Sequence, residues 1–232
     1  MFRFKQFEID DSLSAMKIGT DGVLLGAWAD VADAHSILDI GTGTGLVAIM
    51  CAQRNAVARV HGIDIVEDAV TEARGNMART AWSERLSAKH ADVRMYNPDM
   101  RYDHIVSNPP FFLTTLHSPD AVRAMARHAD TLTYDDLVSA AERLLNPDGR
   151  LSVVLPTDCA QQFRRVAFER MWLTRIVDVV TREGEAPKRT MMEFRLSDAP
   201  LMPRAACLTI QAADGSYTED YRRLTEQFYL NF

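Results

Sequence analysis

The tetrapeptide Asn108-Pro109-Pro110-Phe111 carries groups that could act on an amine. Two consecutive prolines fix φ and lack N–H donors, so the turn is stiff and its carbonyl oxygens stay available. The side-chain oxygen of Asn108 and the carbonyl oxygen of Pro109 could both accept from a planar NH₂ group, while the ring of Phe111 stacks on its carrier. Such a site would alkylate the amine. An ordinary Pro-Pro turn with a packed phenylalanine is the alternative that these four residues leave open.

A glycine-rich loop and three aspartates form a second group of candidates. Asp39 precedes Gly41-Thr42-Gly43-Thr44-Gly45, a loop that lets a ligand approach the backbone closely and opens a helix whose start favours a carboxylate. The spacing differs from the Gly-x-Gly-x-x-Gly of dinucleotide enzymes. Asp64 could accept from both hydroxyls of a ribose. An adenosine with an amino-acid tail would satisfy these groups, although each acid alone, Asp92 above all, could be a surface or capping residue.

The candidate residues lie at or near the ends of predicted strands. Strands are predicted at 36–40, 59–64, 87–91, 102–107, 150–155, 173–180, 191–196 and 207–211, the last two antiparallel. Helices are predicted at 23–28, 45–54, 67–80, 133–145, 158–170 and 216–230. This alternation indicates an α/β fold with a mostly parallel sheet and helices on both faces. Ligands bind such sheets beyond the carboxyl ends of the strands.

Composition and charge narrow the class of protein. The 232 residues are expected to form a single domain without a signal peptide or a membrane-spanning segment. Three widely separated cysteines argue against disulfides and against a metal site, which favours the cytoplasm. The net charge of −6 is not typical of a nucleic-acid binder. Basic residues nevertheless outnumber acidic ones between residues 160 and 195. This segment could bind a polyanion, or it could be a solvated helix face followed by a charged loop.

Several segments together carry a resemblance to a known family. They are Phe4-Lys5-Gln6-Phe7, residues 16–28, the Asn-Pro-Pro-Phe turn and Ala126-Arg127-His128. With the glycine loop, the chain resembles the S-adenosylmethionine-dependent amino-methyltransferases, and more narrowly the bacterial tRNA adenine-N6 methyltransferases that act on adenosine 37 of a valine tRNA. The resemblance implies a Rossmann-like class I fold: a mostly parallel seven-stranded sheet with an antiparallel last strand. Residues 1–35 would face cofactor and substrate, 36–155 form the cofactor-binding core, and 156–232 complete the sheet with a closing helix.

The resemblance also assigns roles to residues. It assigns the cofactor S-adenosylmethionine to Lys17, Thr20, Asp21, Asp39, Gly41, Gly43, Gly45, Asp64, Asp92, Val93 and Asn108. Asp39 and the glycines would hold its methionine part, Asp64 its ribose, and Asp92 with Val93 its adenine. It assigns the methyl acceptor to Asn108, Pro109, Pro110 and Phe111. Candidates for contacts with the tRNA partner are Arg123, Arg127, His128, Arg182, Lys188 and Arg189.

Other functions stay open at this point. A protein glutamine also presents a planar NH₂ group, but the enzymes that methylate it usually have tyrosine after the Asn-Pro-Pro turn and a separate N-terminal helical domain. Adenine in ribosomal RNA or DNA would need a similar pocket. A non-catalytic RNA-binding module that retains the cofactor pocket is the alternative outside the enzymes. No metal and no obligate protein partner is expected.

Overall fold

The computed structural model of the protein describes residues 1–13, 17–109 and 132–230. Its strands are β1 (Phe2–Arg3), β2 (Glu8–Ile9), β3 (Ser36–Ile40), β4 (Arg59–Asp64), β5 (Leu86–His90), β6 (Tyr102–Ser107), β7 (Leu145–Pro156), β8 (Trp172–Arg182), β9 (Arg189–Arg195) and β10 (Arg204–Gln211). Its α-helices are α1 (Thr20–Trp28), α2 (Leu46–Arg54), α3 (Glu67–Ala78), α4 (Tyr134–Leu144), α5 (Thr157–Ala167) and α6 (Glu219–Thr225).

The main sheet confirms the Rossmann-like α/β fold and corrects two details. It has eight strands in the order β10-β8-β9-β7-β6-β3-β4-β5, not seven. The antiparallel strand is β9, which lies between β7 and β8, whereas the last strand, β10, runs parallel to β8. The path of residues 196–203 explains this direction. β9 ends beside Trp172 at the start of β8, the chain then crosses to the other side of β8, and β10 begins beside Arg175, near the same end of β8.

Side chains of the central strands alternate between two hydrophobic clusters, one on each face of the sheet. In β3, Ile37 packs into the cluster that contains α1 and α2, whereas Leu38 and Ile40 pack into the cluster that contains α4 and α5. All five residues of β3 are buried. A parallel strand covered on both faces is expected to be a continuous apolar run, which is why Asp39 within it is unusual.

Two elements differ most from the sequence prediction, the strand β7 and the closing helix α6. β7 starts at Leu145, whereas the strand was predicted to start at residue 150. Residues 146–149, which were expected to form a loop after the helix, instead form a bulge within the strand, between the pairs Tyr102–Leu145 and His104–Arg150. The bulge is fixed by Asn146, whose Nδ2 donates to Asp103 Oδ1 at 2.7 Å.

The closing helix α6 is also shorter than predicted. It begins after Thr218, whose hydroxyl caps the N–H of Tyr221 at 3.3 Å, and it ends in a tight turn in which Phe228 N–H donates to Thr225 O. This turn buries the Phe228 side chain in the core. Within residues 1–13, 17–109 and 132–230, no helix has the length and apolar character needed to cross a bilayer.

Candidate active site

A cleft of about 600 Å³ opens at the carboxyl ends of β3, β4 and β6. Eight of the residues predicted from the sequence to bind a cofactor or substrate line it: Lys17, Asp39, Gly41, Gly43, Asp64, Asp92, Val93 and Asn108. Its wall also includes side chains that the sequence reasoning missed: Leu13, Ile18, Ile40, Ile65, Val66 and Arg94. The cleft therefore combines a few carboxylates and one amide with mostly apolar walls, which is typical of a small-molecule site.

The glycine loop between β3 and α2 leaves room for a ligand. Gly41 and Gly43 adopt φ of 71° and 52°, a left-handed conformation that side chains disfavour. A Cβ at either position would have no protein atom within 4 Å among the described residues, so that a side chain there would occupy the cleft. The loop is fixed to β4, because Gly41 N–H and Thr42 N–H both donate to Ile63 O, at 2.9 and 3.0 Å.

Asp39 is a buried carboxylate beneath this loop, with 1% of its surface exposed. Its Oδ2 accepts from Thr42 Oγ1 at 2.7 Å and from Ala48 N–H at 3.2 Å, which ties the end of β3 to the loop and to α2. Burial, with a smaller contribution from nearby Asp64, raises the pKa of Asp39 to about 7, although these two hydrogen bonds act to lower it. A cationic ligand group beside it would favour the ionised form.

Asp64 links the glycine loop to the start of α3. Its Oδ2 accepts from Gly43 N–H at 2.9 Å, and its Oδ1 accepts from Val66 N–H at 3.0 Å. The neighbouring apolar side chains, Ile65 and Val66, are 41% and 53% exposed. An acid that lies in the cleft beside exposed apolar side chains suits a ligand with hydroxyl groups and a flat apolar ring.

Asp92 follows β5 and forms an ion pair with Arg94. Arg94 Nε donates to both carboxylate oxygens at 2.9 Å, and Nη2 donates to Oδ2 at 2.6 Å. These hydrogen bonds lower the pKa of Asp92. Arg94 was missed in the sequence, where an arginine two residues after an acid is too common to indicate a site.

Asn108 stands at the end of β6 with an unsatisfied acceptor. Its Oδ1 is buried and has no hydrogen-bond partner among the residues that the structure describes. A buried amide oxygen without a donor is costly, on the order of 1 to 3 kcal/mol, so such an atom in a cleft points to a missing donor. Pro109 is buried beside it, while Pro110 and Phe111 lie outside the described residues.

On the N-terminal side of the cleft, the predicted residues divide. Lys17 lines the cleft, and its Nζ donates to Asp11 O. Thr20 and Asp21 do not contribute to the lining. Asp21 instead forms an ion pair with Arg189, so the first turn of α1 is joined to the start of β9. An aspartate at position 21 suggested a polar contact, but its partner, Arg189, lies 168 positions away in the chain and could not be predicted from the sequence.

The basic residues predicted to contact RNA lie in different settings. Arg182 and Lys188 are exposed at the turn between β8 and β9, and Lys188 Nζ lies 3.0 Å from Glu185 Oε2. Arg189 is half-buried and paired with Asp21, which leaves it less available to a phosphate. Arg123, Arg127 and His128 lie outside the described residues.

The chain is similar in sequence to a family of methyltransferases. Residues 14–171 match the family model of the methyltransferase small domain. The chain is 43% identical to a tRNA1(Val) (adenine(37)-N6)-methyltransferase of Bacteroides thetaiotaomicron, over 99% of this chain and 97% of the relative. It is 44% identical to a protein of the same name from Porphyromonas gingivalis, over 99% and 94%, and 41% identical to one from Vibrio parahaemolyticus, over 99% and 95%.

Solved structures show the same fold at lower sequence identity. A predicted O-methyltransferase from Agrobacterium tumefaciens aligns over 90% of this chain and 96% of its own, with a TM-score of 0.71 and 22% identity. The N-methyltransferase NodS from Bradyrhizobium japonicum aligns over 75% and 93%, with a TM-score of 0.53 and 16% identity.

Proposed function

Because the chain belongs to the methyltransferase small domain family and is homologous to tRNA1(Val) (adenine(37)-N6)-methyltransferases, we propose that it methylates the N6 amine of adenosine 37 in a valine tRNA. The methyl donor is S-adenosylmethionine. The observation that carries the proposal is the buried Oδ1 of Asn108, which has no hydrogen-bond partner among the described residues and lies in the same cleft as the glycine loop and the aspartates. An acceptor without a donor at this point is what an incoming amine requires.

The residues of the cleft fit this donor. Open space at Gly41 and Gly43 admits its methionine part against the loop, with Asp39 beside it to accept from the amino group. Asp64, Asp92 and Val93 line the same cleft, and we propose that Asp64 accepts from the ribose hydroxyls and that Asp92 with Val93 borders the adenine. When bound, S-adenosylmethionine supplies an electrophilic methyl group on a sulfonium, which is already a good leaving group. The protein therefore contributes mainly by positioning the reactants.

Asn108 and Pro109 orient the acceptor amine. The Oδ1 of Asn108 and the carbonyl oxygen of Pro109 accept its two hydrogens. These hydrogen bonds take the nitrogen lone pair out of conjugation with the ring and leave it available for attack. The same two acceptors stabilise the positive charge that develops on nitrogen, and the proton that the nitrogen loses passes to water. Hydrogen bonds to a charged group are worth about 1.5 to 3 kcal/mol each, or roughly 10- to 100-fold in rate. We propose that Phe111, after Pro110 in the turn, stacks on the adenine.

The tRNA would reach the cleft from the side of its mouth. A base in an RNA loop leaves its stack at low cost, so it can enter the cleft and reach the buried oxygen of Asn108. We propose that Arg182 and Lys188 contact phosphates, together with Arg123, Arg127 and His128, and that Arg189 acts mainly through Asp21. Thr20 and Asp21 would then shape the cofactor side indirectly, by fixing the first turn of α1. Since tRNA is made and modified in the cytoplasm, we infer that the protein acts there.

Methyl transfer to defined RNAs tests this function. Purified protein is incubated with methyl-labelled S-adenosylmethionine and a valine tRNA transcript that lacks modifications, and the nucleosides are then separated. We expect label in N6-methyladenosine, and none in a matched transcript with guanosine at position 37. Label in both transcripts would contradict the assigned position. Transfer to ribosomal RNA, DNA or a protein glutamine, with no transfer to tRNA, would contradict the assigned substrate.

Asn108→Ala tests the role of the amide. We expect turnover to fall at least about 100-fold, because both the orienting acceptor and its charge stabilisation are lost. Although Asn108 borders the cofactor, affinity for S-adenosylhomocysteine, measured by calorimetry, should stay within about threefold, since the proposed contacts with its ribose and amino-acid part come from Asp64, Asp39 and the glycine loop. A parallel loss of turnover and affinity would refute a role directed at the acceptor amine.

A further inference from the structure

Asn76 of α3 is fully buried and uses its whole amide group to join the glycine loop to the N-terminal segment. Its Nδ2 donates to Thr44 O in the glycine loop and to Asp10 O in the N-terminal segment, both at 2.8 Å. Its Oδ1 accepts from Asp10 N–H at 2.8 Å and from Arg79 Nη2 at 2.6 Å. The side chain thereby forms two hydrogen bonds with the backbone of Asp10, in the way that a neighbouring strand would. The second hydrogen of its Nδ2 binds the glycine loop at Thr44 O.

Neighbouring contacts reinforce the same two attachments. A Cβ at Gly45 would lie 3.3 Å from Ala73 Cβ, so the loop already packs directly on α3. One turn earlier in α3, Glu72 Oε1 accepts from Leu13 N–H at 2.6 Å, and Glu72 is buried. Since Leu13 and Thr44 both line the cleft, α3 acts as a common support for its two sides.

We propose that Asn76 is a positioning residue for cofactor binding: it sets the glycine loop and the N-terminal segment at the separation that the cofactor requires. The inference rests on the proposed function, because it takes S-adenosylmethionine as the ligand of the cleft. Asn76 touches neither the ligand nor the acceptor. Its effect should therefore appear in cofactor affinity and in the mobility of the loop, with little effect on the chemical step.

The test compares Asn76→Asp with a matched substitution elsewhere. In Asn76→Asp, an oxygen replaces the nitrogen that faces the carbonyls of Asp10 and Thr44, so two hydrogen bonds become repulsive contacts. Asn55→Asp is the control. Asn55 is also buried and donates to Val31 O and Ala34 O, but it lies at the opposite end of α2 from the glycine loop.

Affinity for S-adenosylhomocysteine and hydrogen exchange of the amides of residues 41–45 are measured well below the unfolding temperature of each variant. For Asn76→Asp we expect at least about tenfold weaker binding and faster exchange in the loop, with kcat at saturating S-adenosylmethionine within about threefold. Asn55→Asp should lose stability as well, yet bind within about twofold of wild type. This contrast would support the proposal.

Equal affinities in the two variants would overturn the positioning role, since Asn76 would then be structural only. If Asn76→Asp cannot be purified, Arg79→Met replaces it: Arg79 is exposed, and its loss leaves Oδ1 of Asn76 with one donor fewer. About threefold weaker binding in that variant would support the role, and unchanged binding would overturn it. A wild-type protein that fails to bind S-adenosylhomocysteine would instead overturn the proposed function, and this inference with it.

Discussion

Asp39→Asn should make the ligand-free protein more stable at neutral and alkaline pH while weakening its binding of the cofactor. The wild-type carboxylate is 1% exposed, and both of its hydrogen bonds go to Oδ2. An asparagine can present its side-chain oxygen at the same place and keep both donors, Thr42 Oγ1 and Ala48 N–H. The substitution therefore removes the charge and preserves the hydrogen bonds.

The magnitude follows from the pKa of Asp39, which burial raises from 3.8 to about 7. Between these two values the folded protein retains a proton that the unfolded chain has lost, so the stability falls as the pH rises through this range. Three pKa units correspond to about 4 kcal/mol, and the part of this loss that lies between pH 5 and 8 is about 2 to 3 kcal/mol. Asparagine does not titrate, so Asp39→Asn escapes the loss.

Urea unfolding of both proteins at several pH values between 5 and 8, without ligand, measures this effect. The difference in the free energy of unfolding, Asp39→Asn minus wild type, should grow by about 2 to 3 kcal/mol across the range, because the titration of all other groups cancels. At pH 8 the variant should bind S-adenosylhomocysteine at least about tenfold more weakly. A difference that stays constant with pH, or a variant less stable than wild type at pH 8, would refute this reasoning.

Two further predictions concern the glycine loop and the RNA surface. Gly62→Ala would bring a Cβ to 2.6 Å from Thr42 Oγ1, so we expect a lower unfolding temperature and at least about tenfold weaker cofactor binding. Gly75→Ala on α3 serves as its control and should be neutral or slightly stabilising by differential scanning calorimetry. Replacing both Arg182 and Lys188 by Ala should weaken tRNA binding and reduce its salt dependence by about two charges, as filter binding would measure, with cofactor affinity unchanged.

The central strands and the cofactor side of the site could be predicted because their signals are local. The predicted strands 36–40 and 102–107 are short, largely apolar runs followed by glycine or proline, and the structure places β3, β4, β5 and β6 within two residues of the predicted bounds. Asp39, Gly41, Gly43, Asp64 and Asp92 lie at or just after the carboxyl ends of these strands, so the parallel topology alone brings them to one edge of the sheet.

The features that sequence reasoning missed depend on distant partners. Asp21 was assigned to the cofactor, but Arg189 reaches it from β9. From the sequence alone, Asn76 looks like an ordinary polar residue on a helix. Its partners, Asp10 and Thr44, belong to other parts of the chain, so nothing local indicates these hydrogen bonds. The direction of β10 was wrong for a similar reason, since nothing in residues 196–203 shows on which side of β8 the chain returns.

The register between β3 and β6 explains why methyl donor and acceptor should meet in this cleft. Ile40 pairs with Ser107 in parallel, so Gly41 and Asn108 leave the sheet side by side. In the part of the chain that the structure describes, the same edge holds the buried Asp39 carboxylate and the buried Asn108 oxygen, which has no hydrogen-bond partner there. One lies on the side of the glycine loop and the other on the side of the acceptor turn. We therefore expect the methyl donor to supply a positive charge beside Asp39 and the acceptor amine to supply a hydrogen to Asn108.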